Sequence, residues 1–136
     1  MDDNRITTLF ELYLLGRRIR SEVKKHNADK MLLAIILRFL RKKSCTVGEL
    51  AEYLYSTLST ISEKIVHLEE QGLVRKTLTG DQRERLIVLT TKGKKLVCEM
   101  ETKIREHCTT IFKSLTQAEA LQLIMLLQKI DLTVPK

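Results

Sequence analysis

Apolar residues recur every three or four positions along most of this 136-residue chain, which is the spacing of amphipathic helices. The pattern predicts four long helices, over residues 5–25, 29–42, 92–114 and 118–130. The last of these follows a capping-box spacing at Thr116 and is apolar on most sides. A terminal helix of that kind is poorly covered in a monomer of this size, so the sequence predicts that it packs against a partner.

Residues 46–71 have the pattern of two shorter helices separated by about three residues. Thr46 and Glu49 have the spacing of a capping box, which begins the first helix. The second helix carries one narrow apolar stripe, formed by Leu58, Ile61, Ile65 and Leu68. Gly72 follows at the position of a left-handed C-terminal cap. Two helices this close in sequence predict a helix-turn-helix.

A β-hairpin is predicted directly after the second short helix. Residues 73–77 and 85–89 have the composition of strands, and Gly80-Asp81 between them favours a tight turn. A hairpin in this place makes the unit a winged helix-turn-helix. The predicted fold class is therefore mainly α with a small β-hairpin.

The net charge of +7 is concentrated in two stretches of the chain. Residues 17–43 carry ten Lys or Arg against two Asp or Glu, and residues 75–95 carry seven against two. Residues 44–74 are acidic, with one basic residue against five acidic ones. Clustered basic charge predicts a polyanionic partner, and the second cluster contains the predicted hairpin.

The composition argues against several other classes of protein. The cysteines Cys45, Cys98 and Cys108 have no CxxC spacing, so neither a disulfide framework nor a metal site is expected, and no cofactor is implied. No segment reaches the roughly 20 apolar residues of a membrane span, and the N-terminus has no signal-peptide pattern, which predicts a cytoplasmic protein. The sequence has no glycine-rich phosphate loop, paired catalytic carboxylates or nucleophile elbow, so an enzyme is not expected.

Several motifs together resemble those of one family. Asp81-x-Arg83 is followed, after five intervening residues, by Leu89-Thr90-x-x-Gly93. The segment "GELAEYL" lies in the first short helix, and "HLEEQGLVRK" spans the end of the second. On these motifs, and on the order of its helices, the chain resembles the MarR-type winged helix-turn-helix transcriptional regulators. The resemblance covers nearly the whole chain.

The resemblance implies a single domain over residues 1–136, with dimerisation helices at 1–28 and 96–136. Residues 29–95 would form the DNA-binding lobe, with its wing at 73–90. The protein would bind a pseudo-palindromic site in double-stranded DNA as a homodimer, as a repressor controlled by a small molecule. The expected dimer-interface residues are Leu9, Phe10, Tyr13, Ile111, Leu115, Leu123 and Leu127.

The resemblance also implies that the second short helix enters the major groove and that the wing reaches the minor groove. The candidate DNA contacts on the helix are Ser56, Thr57, Ser59, Thr60, Glu63, Lys64 and His67. Those on the wing are Arg75, Lys76, Asp81, Arg83 and Arg85. Arg83 would enter the narrow minor groove, oriented by Asp81, and Arg85 could neutralise a phosphate. A plain surface salt bridge is the alternative for the Asp81–Arg83 pair.

Some assignments stay open at the level of sequence. Either Thr57 or Thr60 could cap the second short helix, Thr60 with Glu63 as a capping box. Glu63 could accept a hydrogen bond from a cytosine amino group, or it could repel phosphates. Tyr13 and His26 are candidate effector contacts by helix position only, and core packing is the other role for Tyr13.

Two other functions compete with direct DNA binding by an effector-controlled repressor. The acidic segment 44–74 would suit a winged-helix module that binds proteins without contacting DNA. A cysteine-based redox regulator is the second, with Cys45 as the best candidate thiol, although the sequence favours a buried, inert cysteine.

Overall fold

The computed structural model describes residues 3–25, 28–78 and 85–132. Within them the chain is mainly helical, with one antiparallel pair of strands, as predicted. The elements in chain order are α1 (Asp3–Lys25), α2 (Ala28–Lys42), α3 (Val47–Tyr53), α4 (Leu58–Glu70), β1 (Val74–Leu78), β2 (Arg85–Leu89), α5 (Thr91–Ile111) and α6 (Gln117–Lys129). The chain divides into two compact units, Met1–Val97 and Cys98–Lys136.

The core of the first unit is built from α2, α3, α4, the hairpin and the start of α5. Its fully buried side chains include Ile36, Leu37, Leu50, Ile61, Ile65, Ile87 and Val97. Helices α2 and α4 pack against the hairpin, and α3 packs against α4, so the apolar stripes predicted from the helical periodicity meet in one core. The core thereby fixes α4 and the wing relative to each other.

The hairpin pairs Val74 with Leu89 at its base and Leu78 with Arg85 at its outer end. A third segment joins it, because the Ile87 N–H donates to the Cys45 carbonyl at 2.7 Å. Cys45 and Ile87 form an isolated antiparallel bridge, and both residues are fully buried. The connection between α2 and α3 is thus fastened to the base of the wing.

The predicted caps hold at three helix ends. Thr46 accepts a hydrogen bond from the Glu49 N–H at the start of α3, and its hydroxyl also lies 3.3 Å from the Glu49 carboxylate. Thr116 and Glu119 form a full capping box at the start of α6. The hydrogen bonds of the Glu119 carboxylate with the backbone and the side chain of Thr116 lower the pKa of Glu119. Gly72 has a φ of 74° after α4.

One predicted core residue is wrongly placed by the sequence pattern. Leu58 was expected in the buried stripe of α4, but 61% of it is exposed, whereas Ile61, Ile65 and Leu68 are buried. The reason is that α4 begins at Leu58, and side chains on a helix lean towards its N-terminus. The Leu58 side chain therefore extends beyond the part of α4 that packs on the core.

Helix α1, in the first unit, exposes most of its apolar side chains. They are Ile6, Leu9, Phe10, Tyr13, Leu14, Leu15 and Ile19. Tyr13 is 63% exposed and its ring lies 6.0 Å from the Arg17 guanidinium carbon, so it does not pack in the core of this chain. His26, the other candidate effector contact, lies outside the described residues.

In the second unit, no residue of α6 is buried. The exposed apolar side chains there include Ile111, Phe112, Leu115, Leu121, Leu123, Ile124, Met125, Leu126, Leu127 and Ile130. The predicted apolar helix is therefore present, and its apolar side chains are uncovered in the single chain.

The described part of the chain has no candidate for a membrane span or for a metal site. None of the helices there is long and apolar enough to cross a membrane. No group of His, Cys, Asp and Glu side chains among those residues has the arrangement of a metal site.

Candidate nucleic-acid interface

The start of α4 is capped by Thr57 and not by Thr60. The Thr57 hydroxyl oxygen accepts from the Thr60 N–H at 3.1 Å, and the hydroxyl donates to the Thr60 side-chain oxygen at 2.9 Å. Thr57 has extended backbone angles while Thr60 is inside the helix. The alternative capping box of Thr60 with Glu63 is therefore wrong, because the chain already enters the helix at Leu58. Glu63 is left one turn into α4.

The connection between α3 and α4 is four residues long, from Leu54 to Thr57. It begins with a Schellman motif, in which the Ser56 N–H donates to the Ala51 carbonyl at 2.9 Å and the Tyr55 N–H donates to the Glu52 carbonyl at 3.2 Å. Together with the Thr57 cap, these bonds hold the turn of the helix-turn-helix. The direction in which α4 leaves α3 is thus fixed by hydrogen bonds at both ends of the turn.

Helix α4 buries one stripe and exposes a polar face. The predicted contacts Thr57, Ser59, Thr60, Glu63 and His67 are all exposed, and Ser56 and Lys64 are half-buried. The structure therefore places most of the helix candidates on the accessible side of one helix. Such a surface can offer hydroxyl, carboxylate and imidazole groups to base edges and phosphates.

Two candidates on α4 have other neighbours. The His67 Nδ1 lies 3.7 Å from a Glu70 carboxylate oxygen, so a protonated His67 is partly neutralised within the helix. Lys64 and His67 also line a shallow cavity of about 170 Å³ between α2 and α4, with Leu32, Leu33, Ile36 and Leu68. These two side chains therefore border this cavity as well as the polar side of α4.

The wing candidates do not share one face of the hairpin. Arg85 pairs with Leu78 in the register, and Lys76 pairs with the buried Ile87. Because side chains alternate along a strand, Lys76 and Arg85 lie on the inner face of the sheet, and Arg75 lies on the outer face. Arg75 and Arg85 are exposed. Asp81 and Arg83 lie outside the described residues.

Thr90 fastens the C-terminal end of α4 to the start of α5. Its hydroxyl donates to the Gly72 carbonyl at 2.7 Å and its oxygen accepts from the Gly93 N–H at 3.0 Å. The Thr90 N–H donates to the Leu73 carbonyl at 3.0 Å. Lys92 adds a bond from its Nζ to the Gln71 carbonyl at 2.7 Å. These contacts position α4 and the wing.

Gly93 is required for that close approach. A Cβ at this position would lie 2.2 Å from the Leu73 carbonyl oxygen and 2.6 Å from Leu89 Cδ1. The Leu89-Thr90-x-x-Gly93 motif therefore has a structural task that the sequence did not reveal. The helical spacing places the glycine, but only the fold shows that the strand backbone lies against it.

The environment of the Cys45 thiol disfavours the reactive thiolate form. Burial raises its pKa to about 11, with a further increase from Glu49 and a decrease from Lys43. A thiol with that pKa is protonated at neutral pH, whereas thiolates are the reactive species. This environment fits a structural cysteine and gives no support to the redox alternative.

Comparison with known proteins agrees with this geometry. The family described as "Bacterial regulatory protein, arsR family" matches residues 34–76, a range that contains α3, α4 and the beginning of β1. The HTH-type transcriptional regulator BilQ of Clostridium symbiosum (strain WAL-14163) is 27% identical over 115 residues, which are 84% of this chain and 80% of BilQ.

Two other similarities differ in extent. A 49-residue stretch is 43% identical to riboflavin kinase of Archaeoglobus fulgidus, but it spans only 36% of this chain and 20% of that protein. The structure of a MarR-family transcriptional regulator from Rhodococcus sp. RHA1 superposes with a TM-score of 0.76 at 22% identity, covering 91% of each chain. The likeness to transcriptional regulators therefore extends over nearly the whole chain, whereas the likeness to the kinase is local.

The fold, the exposed polar face of α4 and the full-length relatives agree with one another. The chain is a DNA-binding transcriptional regulator with the winged helix-turn-helix fold of the MarR-type regulators.

Proposed function

We propose that this protein binds a pseudo-palindromic operator in double-stranded DNA as a homodimer, with α4 of each protomer in the major groove. The observation that carries the proposal is the division of α4 into a buried stripe and an exposed polar face. The Thr57 cap and the Thr90 contacts hold both ends of this helix. A rigid helix with accessible hydroxyl and carboxylate groups suits the reading of base edges.

The wing would supply most of the affinity. Arg75 and Arg85 are exposed on opposite faces of the hairpin, so we propose that they contact phosphates on either side of the minor groove, with Lys76 nearby. Arg83, oriented by Asp81, would enter the groove itself. The proposal for this pair rests on the resemblance of its motif to the family's wings.

Dimerisation would use the two terminal segments, residues 1–28 and 96–136. The support comes from the uncovered apolar side chains of α1, which include Leu9 and Phe10, and from those of α6, which include Leu123 and Leu127. So many exposed large apolar side chains are uncommon on a monomer. A twofold dimer would present two copies of α4 to two half-sites.

We propose further that the protein is a cytoplasmic repressor released from DNA by a small molecule. The cavity between α2 and α4 supports this, because Leu32, Leu33 and Ile36 give it an apolar side and Lys64 and His67 give it basic groups. A small aromatic acid would match that lining. Since Lys64 and His67 belong to α4, an occupant would act directly on the helix that reads DNA.

Selection of bound sites from a random duplex pool tests the proposal. We expect the recovered sequences to show two inverted half-sites with centres about 10 bp apart, the spacing of one helical turn. Protection of that site from cleavage should be symmetric about its centre. Failure to enrich any duplex would overturn DNA binding and favour a module that binds proteins. Enrichment of a single half-site would overturn the homodimer.

A further inference from the structure

Helices α3 and α4 end in the same hydrogen-bonded motif. After α4, the Leu73 N–H donates to the Leu68 carbonyl at 2.9 Å and the Gly72 N–H donates to the Glu69 carbonyl at 3.0 Å. After α3, Ser56 and Tyr55 make the two equivalent bonds. The motif requires a left-handed residue, and the two residues that supply it are Gly72, with φ 74°, and Tyr55, with φ 51°.

Tyrosine is an unfavourable residue for that position. A left-handed backbone brings Cβ close to the following carbonyl oxygen, so the position is normally occupied by glycine and sometimes by asparagine. Gly72 meets the requirement without strain, and Tyr55 does not. Tyr55 is also the only non-glycine residue with positive φ in the part of the chain described by the structure.

Packing of the Tyr55 ring does not compensate for this backbone strain. Tyr55 is 83% exposed, so its burial does not offset the strain. Its neighbour Tyr53 shows the contrast, because the Tyr53 ring stacks on Phe39 with ring centres 4.4 Å apart. Strain kept at an exposed position points to a contact outside the chain.

The location of Tyr55 indicates which contact that is. Tyr55 lies two residues before Thr57, the residue that caps α4, so it flanks the end of the helix that enters the major groove in the proposed function. Phosphates lie beside the N-terminal end of a helix docked in this way. A phenol hydroxyl can donate to a phosphate oxygen, and an exposed ring needs no rearrangement to reach it.

We propose that Tyr55 is a DNA-positioning residue whose hydroxyl donates to a backbone phosphate beside the start of α4. The strained cap is retained because it projects the ring from the turn. This inference rests on the proposed function, since it requires that α4 faces DNA. It predicts that removing the strain improves the stability of the free protein and weakens its binding to DNA.

The test compares Tyr55→Phe and Tyr55→Gly with the wild type, using a duplex recovered from the random pool and a random-sequence duplex of equal length. Tyr55→Phe should melt at the wild-type temperature and bind at least about tenfold more weakly, because each protomer loses a hydrogen bond to a charged group. The loss should be the same on both duplexes, since phosphates carry no sequence information. Tyr55→Gly should melt at a higher temperature and bind at least as weakly as Tyr55→Phe.

Tyr53→Phe is the matched control, because it removes a hydroxyl from a neighbouring tyrosine whose ring is held by Phe39. It should bind both duplexes like the wild type. If Tyr55→Phe binds like the wild type, or loses affinity only for the selected duplex, the phosphate contact is wrong. If Tyr55→Gly melts lower, the strain argument is wrong. A wild-type protein that binds neither duplex would instead overturn the proposed function.

Discussion

At the scale of single residues, some side chains of this protein stabilise the fold and others are available for recognition. Cys45 has a structural role, because its carbonyl accepts the Ile87 N–H while its thiol is buried and has a raised pKa. Glu63 has the opposite character, since it is exposed on α4 and contributes nothing to the core. Recognition is therefore expected to change with Glu63, and stability with Cys45.

Stability should depend on the protonation of Cys45 at high pH. The pKa of its thiol is about 11 in the folded chain, above the ordinary value of 9.0. The folded chain thus keeps a proton that the unfolded chain loses, so the stabilisation is complete below pH 9 and falls as the pH rises towards 11. A pKa difference of two units corresponds to a loss of about 3 kcal/mol at most in the free energy of unfolding.

Urea denaturation of the wild type and of Cys45→Ala between pH 7 and pH 11 measures this effect. The wild type should be the more stable protein at pH 7, because alanine leaves a small cavity. The difference in the free energy of unfolding should narrow steadily above about pH 9. A difference that does not change with pH would show that the thiol titrates normally.

Arg83→Ala should weaken DNA binding while leaving the fold intact. We expect a change in the free energy of unfolding within about ±0.5 kcal/mol, because the sequence predicts that Arg83 is at the wing tip, away from the core. Discrimination among the bases read by α4 should survive, because a minor-groove arginine responds mainly to groove width. If Arg83→Ala binds DNA as tightly as the wild type, the proposed minor-groove contact of the wing is wrong.

Glu63→Gln separates the two roles left open for this carboxylate. If Glu63 accepts from a cytosine amino group, the substitution should relax specificity at one base pair and leave overall affinity nearly unchanged. If Glu63 repels phosphates, the substitution should strengthen binding to every duplex. We expect the first result, because α4 places Glu63 six residues beyond the Thr57 cap, on the exposed face. Titration of a selected duplex and its single-base variants distinguishes the two outcomes.

At the level of secondary structure, the recognition helix is held by its neighbours at both ends. The turn after α3 and the Thr57 cap fix its start, and Thr90 and Lys92 bind the carbonyls at its end. The helix therefore depends on the start of α5 as much as on its own sequence. The motif by which the wing resembles those of known regulators thus also positions α4.

Gly93→Ala should destabilise the protein by about 1–3 kcal/mol, the usual cost of forcing extra volume into a packed site. The reason is that the new Cβ would lie 2.2 Å from the Leu73 backbone oxygen, and backbone next to β1 cannot yield as a flexible side chain can. Gly16→Ala is the matched control, since a Cβ at Gly16 meets nothing within 4 Å.

Gly16 lies inside α1, so alanine there should be neutral or stabilising by up to about 1 kcal/mol. Thermal denaturation of the two variants provides the comparison. Equal melting temperatures for Gly93→Ala and the wild type would mean that β1 and α5 are not fixed against each other as described.

The sequence predicts those elements that depend on local pattern. The bounds of β2, the caps at Thr46 and Thr116, and the glycine after α4 all follow from residues within one or two turns of each other. These features need only backbone preferences and short-range hydrogen bonds, so they can be identified without knowing the tertiary structure.

Other features depend on contacts between distant residues, and the sequence does not predict them. Leu58 fits the apolar stripe of α4, yet its exposure depends on where the core ends. The opposite faces of Arg75 and Arg85 follow from the strand register, and the role of Gly93 follows from Leu73, twenty positions earlier in the numbering. The unusual cap at Tyr55 could have been suspected, since Tyr55 stands where the turn calls for glycine.

At the level of the whole molecule, most of the exposed large apolar side chains of the described residues lie in the segments at the two ends of the chain. Helix α6 has no buried residue, and α1 exposes side chains such as Leu9 and Phe10. Keeping apolar surface exposed to water costs roughly 25 cal/mol for each Å². We therefore expect a second copy of the chain to cover these helices.

Leu123→Glu with Leu127→Glu should give monomeric or unfolded protein, because both leucines are exposed on α6 in the single chain and would meet the partner in the dimer. Sedimentation at micromolar concentration measures the change. Gln117→Glu is the control, since it adds one carboxylate to α6 at its first residue without removing an apolar side chain. A wild-type chain that sediments as a stable monomer would contradict the homodimer.

The central claim is that this protein reads DNA sequence through α4 and draws affinity from basic groups on its wing. The most direct test is the affinity of the wild type for a selected duplex and for a random-sequence duplex, measured from low to high salt. We predict binding to the selected duplex about 10³-fold tighter or more, with the logarithm of both affinities falling linearly as the logarithm of salt concentration rises. Equal affinity for the two duplexes, or binding to neither at low salt, would contradict the account.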